Sequence, residues 1–467
     1  MRRLIFLLVF FTLPVSAQHP TAEEFDAFLL RGMEQLGIPG VAGALIEDGE
    51  IVHLASFGVT SVNGPPITPQ TPFQTGSVSK SFTALLVAQL IDEGRVSLDD
   101  PVRMHIPWFR TRDTTASDQI TLHHLLSHRS GIATLDGNRY QSTTYRGNDA
   151  LEQAVRRLRN ARLHARPGET YQYSNANYAT LSLLIEIVEE QPFEEIAQAR
   201  IFSKLGMSNS YIQVSDADTA APAIGHTHWF GQTVERDFIP GRMMMGAGGT
   251  TASAEDLATY LIAVMEADPR IAPPVLAKAL STSKEGAYEF GWSIDKIEGQ
   301  PVIYHGGQNA GFISMVEFDP ESKRGALVLT NVSGSMEGAL AGGAVDYAMG
   351  FSVRDIAPSK TIRLLFWSAV IIMVSLIVAC AFSIYRLFRR RVVRAGSAVK
   401  KWVGIVVPLL VLVVLAYVLA FVLPQANGAN LMSARFFYPD IGLCLLVSSV
   451  TALFWAVTRT VLIVRLT

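Results

Sequence analysis

Two uncharged apolar runs of 22 residues, 364–385 and 402–423, restrict this chain more than anything else in it. Each is long enough to cross a hydrocarbon core of roughly 30 Å as a helix. Within lipid a helix is the one single-segment structure that satisfies its own backbone hydrogen bonds. A third run covers 441–458, with an extension past Arg459 to Val464 left open. The pattern predicts three C-terminal transmembrane helices within 359–467, behind a larger polar region at 18–358.

The other end of the chain agrees with export. Arg2 and Arg3 precede an apolar stretch from Leu4 to Leu13, and Val15-Ser16-Ala17 then gives the small-residue pattern of a signal-peptidase site. Residues 1–17 therefore read as a signal peptide cleaved after Ala17. An uncleaved anchor is the other reading, but the apolar core of about ten residues is short for a span. The loop after the first span carries Arg386, Arg389, Arg390, Arg391, Arg394, Lys400 and Lys401 without an acid, whereas 424–440 carries only Arg435 and Asp440. Basic loops stay cytoplasmic, which puts 18–358 outside the cytoplasm, held at a membrane. Cys380 and Cys444, the only cysteines, fall inside the spans, so the exported region has neither disulfides nor thiolate metal sites. A net charge of -2 offers no footprint for nucleic acid.

Within the polar region, Thr21 to Leu36 has helical spacing that ends at Gly37, and two β-prone runs flank the turn Glu47-Asp48-Gly49-Glu50. A helix is predicted from Ser77 to about Glu93, and another from Ile120 to His128. Residues 149–204 read as mostly helical, 219–249 as loop, and Ser253 to Met265 as a capped helix. Three strand-like runs, 288–297, 302–318 and 325–331, precede a helix at 335–349. Two strands at the start and three near the end imply one largely antiparallel sheet closed by distant parts of the chain.

Gly76-Ser77-Val78-Ser79-Lys80 runs into the apolar helix. One helical turn separates Ser77 from Lys80, so the amine can reach the hydroxyl and activate it as a nucleophile. The bland alternative is an N-cap serine. Ser281-x-x-Lys284 and Ser397-x-x-Lys400 repeat the spacing but lack both the preceding glycine and the long apolar helix.

Two more short motifs occur once each: Tyr173-Ser174-Asn175 before a helix, and His305-Gly306-Gly307-Gln308-Asn309 at the bend between two strand-like halves. With Ser77-x-x-Lys80, their order and spacing resemble the serine β-lactamase and penicillin-binding-protein superfamily, in its class C and D-peptidase or esterase branch. The surrounding phrases Leu122-His-His-Leu-Leu-Ser-His-Arg-Ser-Gly131 and Tyr173-Ser-Asn-Ala-Asn-Tyr178 share the likeness, which covers residues 20 to about 350. The resemblance implies an α+β (α/β) fold of β-lactamase/transpeptidase type, an antiparallel sheet flanked by helices plus a helical subdomain. It implies Ser77 as the acylated nucleophile, Lys80 as its base and Tyr173 as a second proton carrier. Asn175 would bind the substrate amide, the backbone amides of Ser77 and Gln308 would form the oxyanion hole, and Gly307 would let the strand approach the substrate. His305 stands where many members have lysine, which weakens the case for a potent penicillinase because histidine is mostly neutral at pH 7.

The signal peptide, hydrolase and three spans together are similar to periplasmic maturation peptidases that remove an acyl-D-amino-acid cap from nonribosomal-peptide prodrugs. That likeness implies a small acylated peptide as substrate and Asn309 as the contact for a D-residue side chain. It also leaves an exporter or self-association as partners of the transmembrane bundle. One member of that group carries Tyr-Ala-Ser where this chain has Tyr173-Ser174-Asn175, so the cap recognised stays open. A β-lactamase, a D-Ala-D-Ala carboxypeptidase and an esterase are the enzyme alternatives. A penicillin-binding sensor is the alternative of another class, but the 16-residue loop 386–401 is too small for an output domain. In the resembling family the helix bearing His123, His124 and His128 is scaffold, and His226-Thr-His228 lacks an evident third ligand. No metal or cofactor is expected. Met243-Met244-Met245 reads as core or pocket lining.

Overall fold

Strand β1 (Gly40–Glu47) is buried along almost its whole length, as expected for a strand covered on both faces. Ala42, Ala44 and Ile46 point into the main core, while Val41 and Leu45 point into a second core under α1 (Ala22–Leu36). In this computed structural model the described residues are 19–139, 141–212, 222–236, 238–334, 338–353, 360–389, 398–426 and 429–466. The expected signal peptide, Arg390, Arg391, Arg394 and Ser397 lie outside them, as does the 358/359 boundary.

Asp48 and Gly49, both at positive φ, form the two-residue turn that pairs β1 with β2 (Glu50–Gly58). The late strands are β3 (Ala287–Glu289), β4 (Trp292–Ile297), β5 (Gln300–Asn309), β6 (Phe312–Asp319) and β7 (Arg324–Thr330). The order is β2-β1-β7-β6-β5-β4-β3, with every pairing antiparallel. Val41 lies opposite Thr330, so the early hairpin and the late meander form one sheet. The three late strand-like runs are in fact five strands. Phe290-Gly291 and Gly311 adopt positive φ and turn the chain inside runs where apolar neighbours hid the break, while Glu298-Gly299 makes the turn expected between the first two runs.

Helix α2 (Ser79–Asp92) is buried around its full circumference from Ser79 to Leu90, the pattern of a helix that runs through a core. It begins two residues later than expected, because Gly76–Val78 forms a tight 3₁₀ turn ahead of it. Helix α3 (Asn175–Glu189) and α4 (Ala254–Met265) share its side of the sheet, with Ser253 Oγ capping α4 by accepting from Asp256 N. Helix α5 (Gly338–Ala348) lies with α1 on the opposite face. A correction concerns 219–249, which contains a hairpin, His226–Trp229 with Gln232–Glu235. Its alternation of His, Thr, Trp, Gln and Glu offers no apolar face for a sequence pattern to register.

Three helices follow: α6 (Lys360–Arg389), α7 (Ala398–Tyr417) and, after a short α8 (Leu431–Phe437), α9 (Pro439–Leu466). The stretches long and apolar enough to cross a membrane are Phe366–Leu387, Trp402–Ala426 and Pro439–Val464. Helix α8 is capped by Asn430, whose side chain accepts from Ser433 N at 2.8 Å. It packs against the catalytic half: Phe436 meets Phe238 edge to face at 4.6 Å, and the Arg236 guanidinium lies 4.9 Å from the Phe436 ring.

Candidate active site

The turn that carries Ser77 depends on two glycines at one crossing point. Gly76 has φ +52°, and a Cβ there would lie 2.5 Å from Gln308 N. A Cβ on Gly307 would lie 2.0 Å from Thr75 O and 3.0 Å from Ser77 N. Gly307 therefore admits the edge of the nucleophile's own turn, rather than substrate alone. The same crossing brings the backbone amides of Ser77 and Gln308 next to each other, and Ser314 Oγ fastens it by donating to Thr75 O at 2.7 Å.

Lys80 Nζ lies 3.1 Å from Ser77 Oγ and donates to Ala247 O at 2.6 Å. Its side chain is fully buried and no carboxylate pairs with it among the described residues. Burial holds its pKa well below the ordinary lysine value, which favours the neutral amine that a general base requires. The Tyr173 ring lies 4.8 Å from Nζ. Tyr173 Oη is buried without a hydrogen bond, and burial raises its pKa while the neighbouring Ser77 hydroxyl counters part of that rise. A phenol held protonated beside a neutral amine can pass a proton to a leaving group.

His305 is buried and uncharged. Its Nδ1 donates to Gly306 O at 2.6 Å, its Nε2 accepts from Tyr288 Oη at 2.9 Å, and burial pushes its pKa down to about 3. Asn175 donates through Nδ2 to Asn138 Oδ1 at 3.0 Å, which leaves its buried Oδ1 unpaired, and Gln308 Nε2 is likewise buried and unpaired. Asn309 spends its amide hydrogens internally, on Gln74 Oε1 at 3.0 Å and Gly248 O at 2.9 Å. Ser77, Tyr173, Asn175, His305, Gly307 and Gln308 line one cavity of about 540 Å³, and Asn309 lines a smaller one beside it that also touches Ser77. The other two Ser-x-x-Lys copies stay apart: Ser281 is exposed at a helix end, and Ser397 lies outside the described residues.

Three further residues hold this geometry: His128, from the phrase 122–131, and Thr134 and Tyr288, which carry no sequence signal of their own. His128, at φ +56°, accepts from Ser174 N at 3.3 Å and Asn177 Nδ2 at 2.9 Å through Nδ1, and its ring packs 4.3 Å from Tyr173. Thr134 donates to Tyr173 O at 2.6 Å. Tyr288 orients His305. The phrase around 122–131 thus fixes the start of α3, and with it Tyr173 and Asn175. No group of three or more His, Cys, Asp or Glu side chains converges among the described residues. Met243, Met244 and Met245 are buried in the main core, and Met244 also lines the smaller cavity.

The far wall of the large cavity comes from the chain between the second and third spans: Ala429, Ser433, Phe437 and Tyr438. The paired aromatics Phe436-Phe437 in an otherwise plain connection were the only available hint.

A family model described as Beta-lactamase matches residues 25–348. The chain belongs to the β-lactamase family. Penicillin-binding protein 4 of Amycolatopsis lactamdurans is 29% identical over 333 residues, covering 66% of this chain and 84% of that protein. Unguisins hydrolase ungD' of Aspergillus campestris is 25% identical over 365 residues, covering 73% of this chain and 67% of that protein. Protein flp of Staphylococcus aureus is 25% identical, and this chain spans 63% of its length. Among solved structures, the octameric penicillin-binding protein homologue from Pyrococcus abyssi superposes with a TM-score of 0.63 at 27% identity, covering 74% of this chain and 81% of that one. This family member is a serine β-lactamase-type hydrolase by fold, and the family match ends before the three apolar helices begin.

Proposed function

We propose that the chain is a membrane-anchored periplasmic serine peptidase that cleaves an internal amide beside an N-acylated D-residue, through an acyl-enzyme on Ser77. The carrying observation is the composition of the large cavity: none of its described lining residues is charged. A free C-terminal carboxylate, as in D-Ala-D-Ala, would be desolvated there without a counter-charge, and His305 is too buried to supply one. The unpaired Asn175 Oδ1 and Gln308 Nε2 instead suit the N–H and C=O of an amide on each side of the scissile bond.

In this reading Lys80 takes the Ser77 proton as Oγ attacks the carbonyl. The oxyanion is held by the amides of Ser77 and Gln308, at about 3 to 4 kcal/mol per donor. Tyr173 protonates the departing amine and regains a proton from Lys80. Water then attacks the ester with the same groups acting in reverse. The wall built by Ser433 and Phe437 ties the site to the membrane domain and supports an acyl chain leading from cavity to bilayer. The prodrug-maturation resemblance fits this assignment, as does the unguisins hydrolase by its name. The relative named penicillin-binding protein 4 supports a second reading, a β-lactam-binding enzyme or carboxypeptidase on the same nucleophile. The domain division at 17 and 358, and an exporter or a second copy as the bundle's partner, belong to the same proposal.

Incubating the full chain with an N-acyl-D-Asn amide and trapping it in acid should give an adduct on the peptide holding Ser77. Ser77→Ala should abolish that adduct and also labelling by a fluorophosphonate. An adduct that survives in Ser77→Ala but vanishes in Ser281→Ala would transfer the assignment to the other copy.

A further inference from the structure

A second cavity, of about 300 Å³, opens on the helical part of the hydrolase, apart from the residues of the active site. Four of its nine lining residues are arginines, Arg103, Arg110, Arg156 and Arg159, and none is acidic. The sequence concentrates this charge: neither 101–112 nor 153–168 contains Asp or Glu, and the two segments converge here. Phe109 and Val155, both fully buried, give it a rigid apolar floor.

The four guanidiniums are not equivalent. Arg103 is paired with Asp118 and hydrogen-bonds Pro107 O, while Arg156 is paired with Glu152 at 2.6 Å and stacked 4.0 Å from the centre of the Trp108 ring. Those two are held in place by carboxylates that do not line the cavity. Arg110 and Arg159 have no ion pair or hydrogen bond among the described residues. Two uncompensated guanidiniums facing one cavity repel each other unless an anion sits between them. Guanidinium forks match the oxygens of phosphate or carboxylate, and a phosphate monoester, at about -1.5 to -2 near pH 7, matches the two free charges.

We propose that this groove binds a phosphate monoester dianion, with Arg110 and Arg159 supplying the charge and Arg103, Arg156 and the Thr114 hydroxyl completing the cradle. Such a phosphate is carried by a lipid head group or by a small soluble ester, and one experiment separates the two. The full chain in neutral detergent is titrated with inorganic phosphate, with dihexanoyl phosphatidic acid and with dihexanoyl phosphatidylcholine, each against NaCl of equal ionic strength, and the melting temperature is followed. We expect both phosphate monoanion–dianion ligands to raise it and the zwitterionic lipid to leave it unchanged. Half-saturation at tenfold lower concentration for the phosphatidic acid assigns the site to lipid, and equal values assign it to a soluble ester, whose phosphate group alone is recognised. The double variant Arg110→Gln/Arg159→Gln should raise the half-saturating concentration at least tenfold, about 1.4 kcal/mol. Both side chains are exposed, so the variant should keep its melting temperature without phosphate and its Ser77 labelling. A wild type without a phosphate response, an equal response to NaCl, or an unchanged response in the double variant would overturn the proposal.

Discussion

His305 links the chemistry of the site to the stability of the fold. Below about pH 6.5 the unfolded chain binds a proton at this residue, whereas the folded chain resists it until the pH approaches about 3. Its contribution is therefore complete above about pH 6.5 and declines as the pH falls through that window, by up to about 1.4 kcal/mol per pH unit. His128 acts in the same direction, because burial lowers its pKa well below the ordinary histidine value. Thermal unfolding from pH 7 to pH 4 should fall less steeply in His305→Asn than in the wild type. Parallel slopes would mean that the imidazole is not the neutral, buried group described above. Lys80 obeys the same logic in catalysis: the neutral amine is the base, so the rate should fall on the acid side of its lowered pKa.

Among the elements, α8 changes what the cavity can recognise. Phe436 anchors it on Phe238, Phe238 O accepts from Gln74 Nε2 at 2.6 Å, and Gln74 Oε1 accepts from Asn309. A continuous contact path thus joins the third motif to the connection between two spans, and it leaves Phe437 free to face the cavity. Phe437→Ala should raise KM for a long-chain N-acyl substrate about tenfold while sparing a short-chain one. An equal loss for both chain lengths would make Phe437 a support of the fold rather than a wall for substrate. This element was not legible in the sequence, because a seven-residue helix with no amphipathic repeat reads as a loop and its partner Phe238 is nearly two hundred residues away. The Ser77 turn was legible for the opposite reason: glycine, serine, lysine and a long apolar helix are adjacent in the chain. The two-plus-several strand pattern was readable too, but the turns at Phe290-Gly291 and Gly311 were hidden inside runs whose apolar content dominated.

At the scale of the whole molecule, the packing of α8 on the hydrolase agrees with the proposed topology, in which the connection between the second and third spans is periplasmic. On that proposal the arginine-rich stretch 386–401 is expected on the cytoplasmic side. A reporter active only in the periplasm should work when fused after residue 430 and fail after residue 395, and the reverse pattern would contradict the placement. For the membrane-held site proposed above, an acyl chain would partition at roughly 0.8 kcal/mol per buried CH₂, so longer chains should lower the apparent KM in membranes. The most direct test compares kcat/KM of the full chain in nanodiscs for N-acyl-D-Asn amides of increasing chain length, D-Ala-D-Ala peptides and nitrocefin. The uncharged cavity predicts that the acylated amides are cleaved fastest and improve with chain length. Faster turnover of the D-Ala-D-Ala peptides or nitrocefin would contradict it and assign the site to carboxypeptidase or β-lactamase chemistry.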